Sequence, residues 1–247
     1  MSPGAVKAGE KQLNMNPSPL LLAVPAAFDF TASSLMFVAL TMTPASVYQM
    51  MRGFVTVFAA LFSVVFLKKK QYRHHILGLC MIFVALVEVG IVAIALGEPN
   101  PDLVGSVAAG IALIIIAQLF AAGLFVVEEY FLGDYYLDPF KVVGLEGMFG
   151  FLYFLFALPI FQAIQCDFVL CNFGYVENSS YAFYQMTDNP LLIFYTIGIM
   201  VSIACFNVSG VSTTKLASAA QRSTVDTSRT VFIWVGSVLL GFEEFQW

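Results

Sequence analysis

The segment Pro44–Arg73, PASVYQMMRGFVTVFAALFSVVFLKKKQYR, constrains this chain more than any other. Val47–Leu67 within it is a 21-residue apolar run, which as a helix rises about 31 Å, the thickness of a bilayer's hydrocarbon core. Lys68, Lys69, Lys70 and Arg73 close one end with positive charge. Arg52 lies about 8 Å inside the other end, where its long stem lets the guanidinium either snorkel to the interface or enter a polar cavity. The remaining composition agrees: of 247 residues 60% are apolar and 11% charged, with mean hydropathy +0.85. That is a membrane protein rather than one or two soluble domains. It has no basic face for a nucleic acid, and four cysteines do not make a disulfide framework.

Seven spans are predicted at Leu20–Leu40, Val47–Leu67, His75–Leu96, Val104–Val127, Val142–Ile164, Pro190–Val211 and Ser228–Glu243. Each is a helix, because hydrocarbon supplies no water to satisfy exposed backbone groups and the alternation of a barrel is missing. The fold class is therefore all-α, a polytopic membrane helical bundle with seven transmembrane helices. Residues 1–18 read as a polar cytoplasmic leader with Lys7 and Lys11, and residues 19–245 as the transmembrane domain. No typical cleavage site follows the leader, so the first span is expected to be retained.

The lysines and arginines orient the bundle. Lys68–Arg73 places the second connection in the cytoplasm, and alternation puts the N-terminus, Lys141, Lys215 and Arg222 there too. The opposite loops are Thr41–Ser46, Gly97–Leu103 and the long Gln165–Asn189, none with a lysine or arginine. The long loop carries a candidate glycosylation site at Asn178 and a candidate disulfide between Cys166 and Cys171. Cys80 and Cys205 lie in apolar runs and read as packing residues.

The second span has an echo. At an offset of 174 residues, Ala45, Thr56, Val57, Phe58, Ser63 and Val64 fall on Ala219, Thr230, Val231, Phe232, Ser237 and Val238 in one ungapped register. Alternation makes the two copies antiparallel, so the duplication is an inverted one, the arrangement of many secondary transporters. Residues 19–97 then end a first repeat, and residues 104–245 form most of a second. Arg52 at the outer end of its helix corresponds to Asp226 at the inner end of its own, and the two read either as gates at opposite mouths of one pathway or as ordinary interfacial charges.

Polar residues within the spans are the candidate substrate-binding or coupling groups. Asp29 lies in the first span about 16 Å from Leu40, in a setting of small and hydroxylated residues. Glu88 in the third span has a depth that suits pairing with Arg52. Glu128, Glu129, Glu146, Asp226 and Arg229 gather at the inner side as a candidate polar network. Gln118 and Asn207 either line a pocket or serve as interhelical hydrogen bonds. No metal-ligand set, catalytic constellation or cofactor motif is present, and the chain reads as a non-enzyme.

Six blocks carry a family resemblance: Phe28–Leu40 (FDFTASSLMFVAL), Ala45–Gly53 (ASVYQMMRG), Val127-Glu128-Glu129, Val143–Gly150 (VGLEGMFG), Phe206–Lys215 (FNVSGVSTTK) and Ser228–Trp234 (SRTVFIW). In this order they resemble solute carrier family 35, subfamily F, of the drug/metabolite transporter superfamily. The resemblance implies a fold of ten helices in two inverted repeats of five, of which this chain is similar to helices three to nine. It also implies an endomembrane carrier, of lysosomal or Golgi type, working by alternating access. Asp29, Gln49, Arg52, Glu128, Glu146, Asn207, Asp226 and Arg229 occupy the motif positions. The implied partners are the lipid bilayer and a small-molecule solute, with a homodimer left open. The leading expectation is secondary-active transport of a small polar or anionic solute, with Arg52 or Arg229 contacting the anion and Asp29 or Glu146 as the coupling acid. The alternative is a truncated or non-transporting membrane interaction protein.

Overall fold

The computed structural model describes residues 18–96, 106–164 and 177–239. A short 3-10 turn at Pro19–Leu22 leads into α1 (Ala23–Leu40), α2 (Ala45–Met51), α3 (Phe54–Val65), α4 (Arg73–Leu96), α5 (Val107–Asp134), α6 (Pro139–Ala163), α7 (Ser179–Asp188), α8 (Pro190–Leu216) and α9 (Ala219–Leu239). Local chemistry sets several of these boundaries. Pro139 and Pro190 occupy the first position of α6 and α8, where a missing N–H is harmless. The residues before them cap the helices: Asp138 Oδ1 accepts from Phe140 N at 2.9 Å and Asn189 Oδ1 from Leu191 N at 3.1 Å.

Among the described residues six segments are long and apolar enough to cross a membrane: Pro19–Leu40, Ala45–Val65, Arg73–Ala95, Val107–Asp134, Pro139–Ala163 and Pro190–Leu216. The chain is a multi-pass helical membrane bundle. The seventh predicted span, Ser228–Glu243, falls partly within α9. That helix starts at Ala219 instead of Ser228, and its first half is too polar to meet the same standard. Its extra turns hold Arg222, Ser223 and Asp226, which a hydropathy sum counts against a span but which find polar partners inside the bundle.

The second span also departs from a regular α-helix, because it tightens near its start, where Arg52 and Gly53 keep right-handed helical dihedrals but shift to 3-10 hydrogen bonding. The α-helical stretch ends at Met51 and resumes at Phe54, with Arg52 and Gly53 in a tight turn bridged by Gly53 N to Met50 O and Thr56 N to Gly53 O, each 3.0 Å. A Cβ on Gly53 would lie 3.1 Å from Leu86 Cδ2, so the bare backbone lets α4 approach this turn closely. Between α6 and α8, the segment expected to be a loop contains α7, capped by Asn178, whose Oδ1 accepts from Tyr181 N at 3.1 Å. Cys166 and Cys171 lie outside the described residues.

α5 is the hub of the bundle. It packs on α1, α3, α8 and α9 and touches α2 and α4. Small residues make this possible: Ala117 and Ala122 are fully buried, and a Cβ on Gly110 would stand 2.6 Å from Thr43 Cγ2. In hydrocarbon such close backbone approach, with its dense van der Waals contact, draws helices together. Around the hub, α4, α6 and the first half of α8 present mainly exposed apolar side chains. Cys80 and Cys205 lie on those outer faces as free thiols rather than in the core.

Candidate functional site

Helices α3 and α9, which carry the two sequence copies, lie against each other. Thr56 Oγ1 donates to Ser223 O at 3.1 Å and is 2.8 Å from Thr227 Oγ1. Val55 and Ala59 share an apolar cluster with Ala219, while Arg52 feels the charges of Asp226 and Arg229. As α3 is followed forward, its partners on α9 run backward, so the copies are antiparallel. At the 174-residue offset Thr227 is the counterpart of Gly53, and the crossing therefore centres on the tightened turn in the second span.

Beside this crossing lies a buried ion pair. The Arg222 guanidinium on α9 bonds the Glu128 carboxylate on α5, and the two side chains are 4% and 2% exposed. Arg222 Nη1 also donates to Thr214 Oγ1 on α8 at 3.3 Å, and its Cζ lies 4.2 Å from the Phe125 ring centroid. The guanidinium fits because residue 210 is glycine: a Cβ there would lie 2.8 Å from Arg222 Nε and 3.0 Å from Cζ. Breaking such a pair strands a charge in a low-dielectric interior, which is why Thr214 and Phe125 matter as additional support.

Further charged groups sit within electrostatic reach. Asp29 on α1 interacts with Arg222 and bonds Ser33. Glu146 on α6 interacts with Glu128, Arg222 and Asp29, and its Oε1 is buried without a hydrogen-bond partner. Asp226 interacts with Arg222, Arg229 and Arg52. Arg229 lies over the Phe206 ring on α8 with Cζ 4.5 Å from its centroid. The result is one cluster of four carboxyl groups, Asp29, Glu128, Glu146 and Asp226, with three guanidinium groups, Arg52, Arg222 and Arg229. Tyr48, buried on α2, interacts with Arg52 and Arg229 at its edge.

Several expectations need correcting. Arg52 and Asp226 do not guard opposite mouths; α9 starts nine residues earlier than predicted, so Asp226 lies two turns inside the helix and shares a cluster with Arg52. Glu88 does not pair with Arg52. It is exposed on α4, whose inward face presents Leu86 and Gly90 instead. Gln118 is an interhelical contact, buried and donating from Nε2 to Met36 Sδ at 2.9 Å. Gln49 and Asn207 are half-buried on α2 and α8. From the sequence alone Arg222 reads only as a cation on the cytoplasmic side. The signal that marks it is its place in the repeat, where Tyr48 is its counterpart and the neighbouring register positions Arg52 and Asp226 are both charged.

The fold and this cluster define a multi-pass membrane protein built around an internal polar site. Residues 1–91 match the EamA-like transporter family. Over 244 residues the chain is 38% identical to human solute carrier family 35 member F6, covering 97% of this chain and 66% of that protein. It is 39% identical to the rat protein of the same name over 228 residues, 92% of this chain and 61% of the relative. An uncharacterized protein of Schizosaccharomyces pombe is 35% identical over 229 residues, 92% of this chain and 68% of the relative. The chain belongs to the EamA-like drug/metabolite transporter family, in its solute carrier 35 subfamily F branch. It spans 61% to 66% of the length of these two mammalian relatives.

Proposed function

We propose that this protein is a secondary-active transporter of a small polar or anionic solute that works by alternating access. The observation that carries the reading is the Arg222–Glu128 pair, sealed beside the crossing of two antiparallel, sequence-related helices. Charged groups inside a membrane bundle are costly to bury and typically mark ion and substrate pathways. Arg52, in the tightened turn of the second span, reaches the cluster.

Charge balance divides the labour. Three guanidinium groups face four carboxyl groups, and Glu146 has an oxygen with no partner. The surplus acid calls for a proton or another cation, which makes Glu146 the coupling group, with Asp29 next to it. Arg52 and Arg229, at the other end of the cluster, supply the anion contact. Alternating access would rock α3 and α9 about their crossing and open the cluster to each side in turn. The N-terminus and the Lys68–Arg73 connection are assigned to the cytoplasm, in an endomembrane compartment.

Uptake into proteoliposomes tests this, with a panel of nucleotides, sugars, vitamins and amino acids at two pH values with and without a proton gradient. At least one solute should accumulate with the gradient, and Glu146→Gln should make its uptake indifferent to the gradient while exchange continues. Failure of every solute under every gradient would favour the rival reading, a non-transporting membrane interaction protein.

A further inference from the structure

A cavity of about 460 Å³ lies between α3, α4 and the start of α9, apart from the charged cluster. Its volume is in the range that accepts a small ligand. The walls carry Lys69, Lys70, His74 and His75 from the α3–α4 connection and the first turn of α4, and Gln221 from the first turn of α9. Among the described residues no carboxylate lines it. Lys69 is paired with Glu129 outside the cavity wall, which leaves Lys70 and the imidazoles as the groups available to a ligand.

Three observations make this a built site. Helices α4 and α9, of 24 and 21 residues, both begin at the cavity; Gln221 N is capped by Ser218 Oγ at 3.2 Å and His75 N bonds Tyr72 O at 2.9 Å, and the dipole and remaining N–H groups of the two helix starts favour anions. Ser63 on α3 lines the cavity at 1% exposure, yet its Oγ has no hydrogen-bond partner; a buried hydroxyl is ordinarily satisfied, and a ligand oxygen would satisfy this one. Lys68 has φ 54°, the left-handed region that a lysine rarely adopts. With Lys69 N bonded to Ser63 O at 3.2 Å, this conformation turns the chain back over α3 and brings the next lysines to the cavity.

We propose that this cavity binds a phosphate-class oxyanion, held by Lys70, His74, the Ser63 hydroxyl and the two helix N-termini. The same chemistry has two sources, the head group of an anionic phospholipid in the adjoining leaflet or a soluble phosphate compound. Basic pockets between helices at a membrane edge suit the first. The site lies outside the charged cluster and does not depend on the transport reading.

The test uses the full chain in two settings: detergent-solubilised and titrated with inorganic pyrophosphate, and in phosphatidylcholine nanodiscs carrying increasing phosphatidylinositol 4-phosphate, with bound lipid counted by mass spectrometry. Saturable binding is expected in at least one. Lys70→Gln combined with His74→Gln should weaken it about tenfold to a hundredfold, the worth of one or two charge-assisted hydrogen bonds. Arg73→Gln removes a charge from the first residue of α4, which does not line the cavity, leaves the backbone N–H in place, and should change binding less than about threefold. Ser63→Ala should weaken binding and raise the unfolding temperature of the ligand-free protein. Loss in pyrophosphate alone assigns a soluble ligand, and loss in nanodiscs alone assigns a lipid. No saturable binding in either setting, or equal effects of Arg73→Gln and the double cavity variant, overturns the proposal.

Discussion

Helices α5 and α6 are both long, apolar and membrane-spanning, yet 56% of the apolar window of α5 is buried inside the bundle and 0% of that of α6. Hydropathy does not separate them, since lipid is as apolar as leucine and drives no helix inward. Shape and polarity do. Helix α5 offers Gly110, Ala117 and Ala122 to its neighbours and carries Glu128 to a partner. Helix α6 turns Phe151, Leu155 and Phe156 outward and contributes one inward acid, Glu146. A span becomes the centre of this bundle through small residues and a charge that other helices can neutralise.

The sharpest way to break this contrast is to disarm the buried pair. Glu128→Ala or Arg222→Ala should each destabilise the protein by about 3–5 kcal/mol, because the partner is left charged and buried. Reversible unfolding in mixed micelles would show it, and Glu128→Met with Arg222→Met should recover most of the loss. A single variant as mild as a lipid-facing change would remove the distinction between the helices.

Glycines give a test in which the sign changes. Gly110→Ala forces a Cβ into Thr43 and Met42 and should cost about 1–3 kcal/mol. Gly144→Ala in α6 meets nothing within 4 Å and should stabilise by up to about 1 kcal/mol through helix propensity alone. The same unfolding measurement reads both. At the repeat crossing, Thr56→Val removes hydrogen bonds to Ser223 and Thr227 and should lower stability by about 1 kcal/mol. Least affected of all is Phe156→Leu on the outer face of α6, with an unfolding midpoint shifted by no more than about 0.5 kcal/mol equivalent.

Much of the fold was legible because a membrane imposes simple rules. Six of the seven predicted spans stand with ends displaced by a few residues, since an apolar run of bilayer length has no alternative to a helix. Charged residues inside the spans were legible as candidates for a related reason, that charges in spans are rare, although Glu129 pairs with Lys69 and Arg222 takes the place beside Glu128. Their partners were less so. Glu88 and Glu128 both sit in apolar runs, and only packing turned one toward lipid and the other toward Arg222.

By itself the sequence determined a helical membrane bundle, the echo between its second and last spans and the charged residues that must be accommodated within it. Period, length and composition are local properties, and the scarcity of water in a bilayer converts them directly into structure. Tertiary structure decided that the second span tightens at Arg52–Gly53, that α9 starts early, and that Arg222, Glu128 and Asp226 meet. Those outcomes depend on which helix faces another and at what depth, and the interaction of two charges is fixed by their separation and surroundings, neither of which is written in the order of residues along one chain.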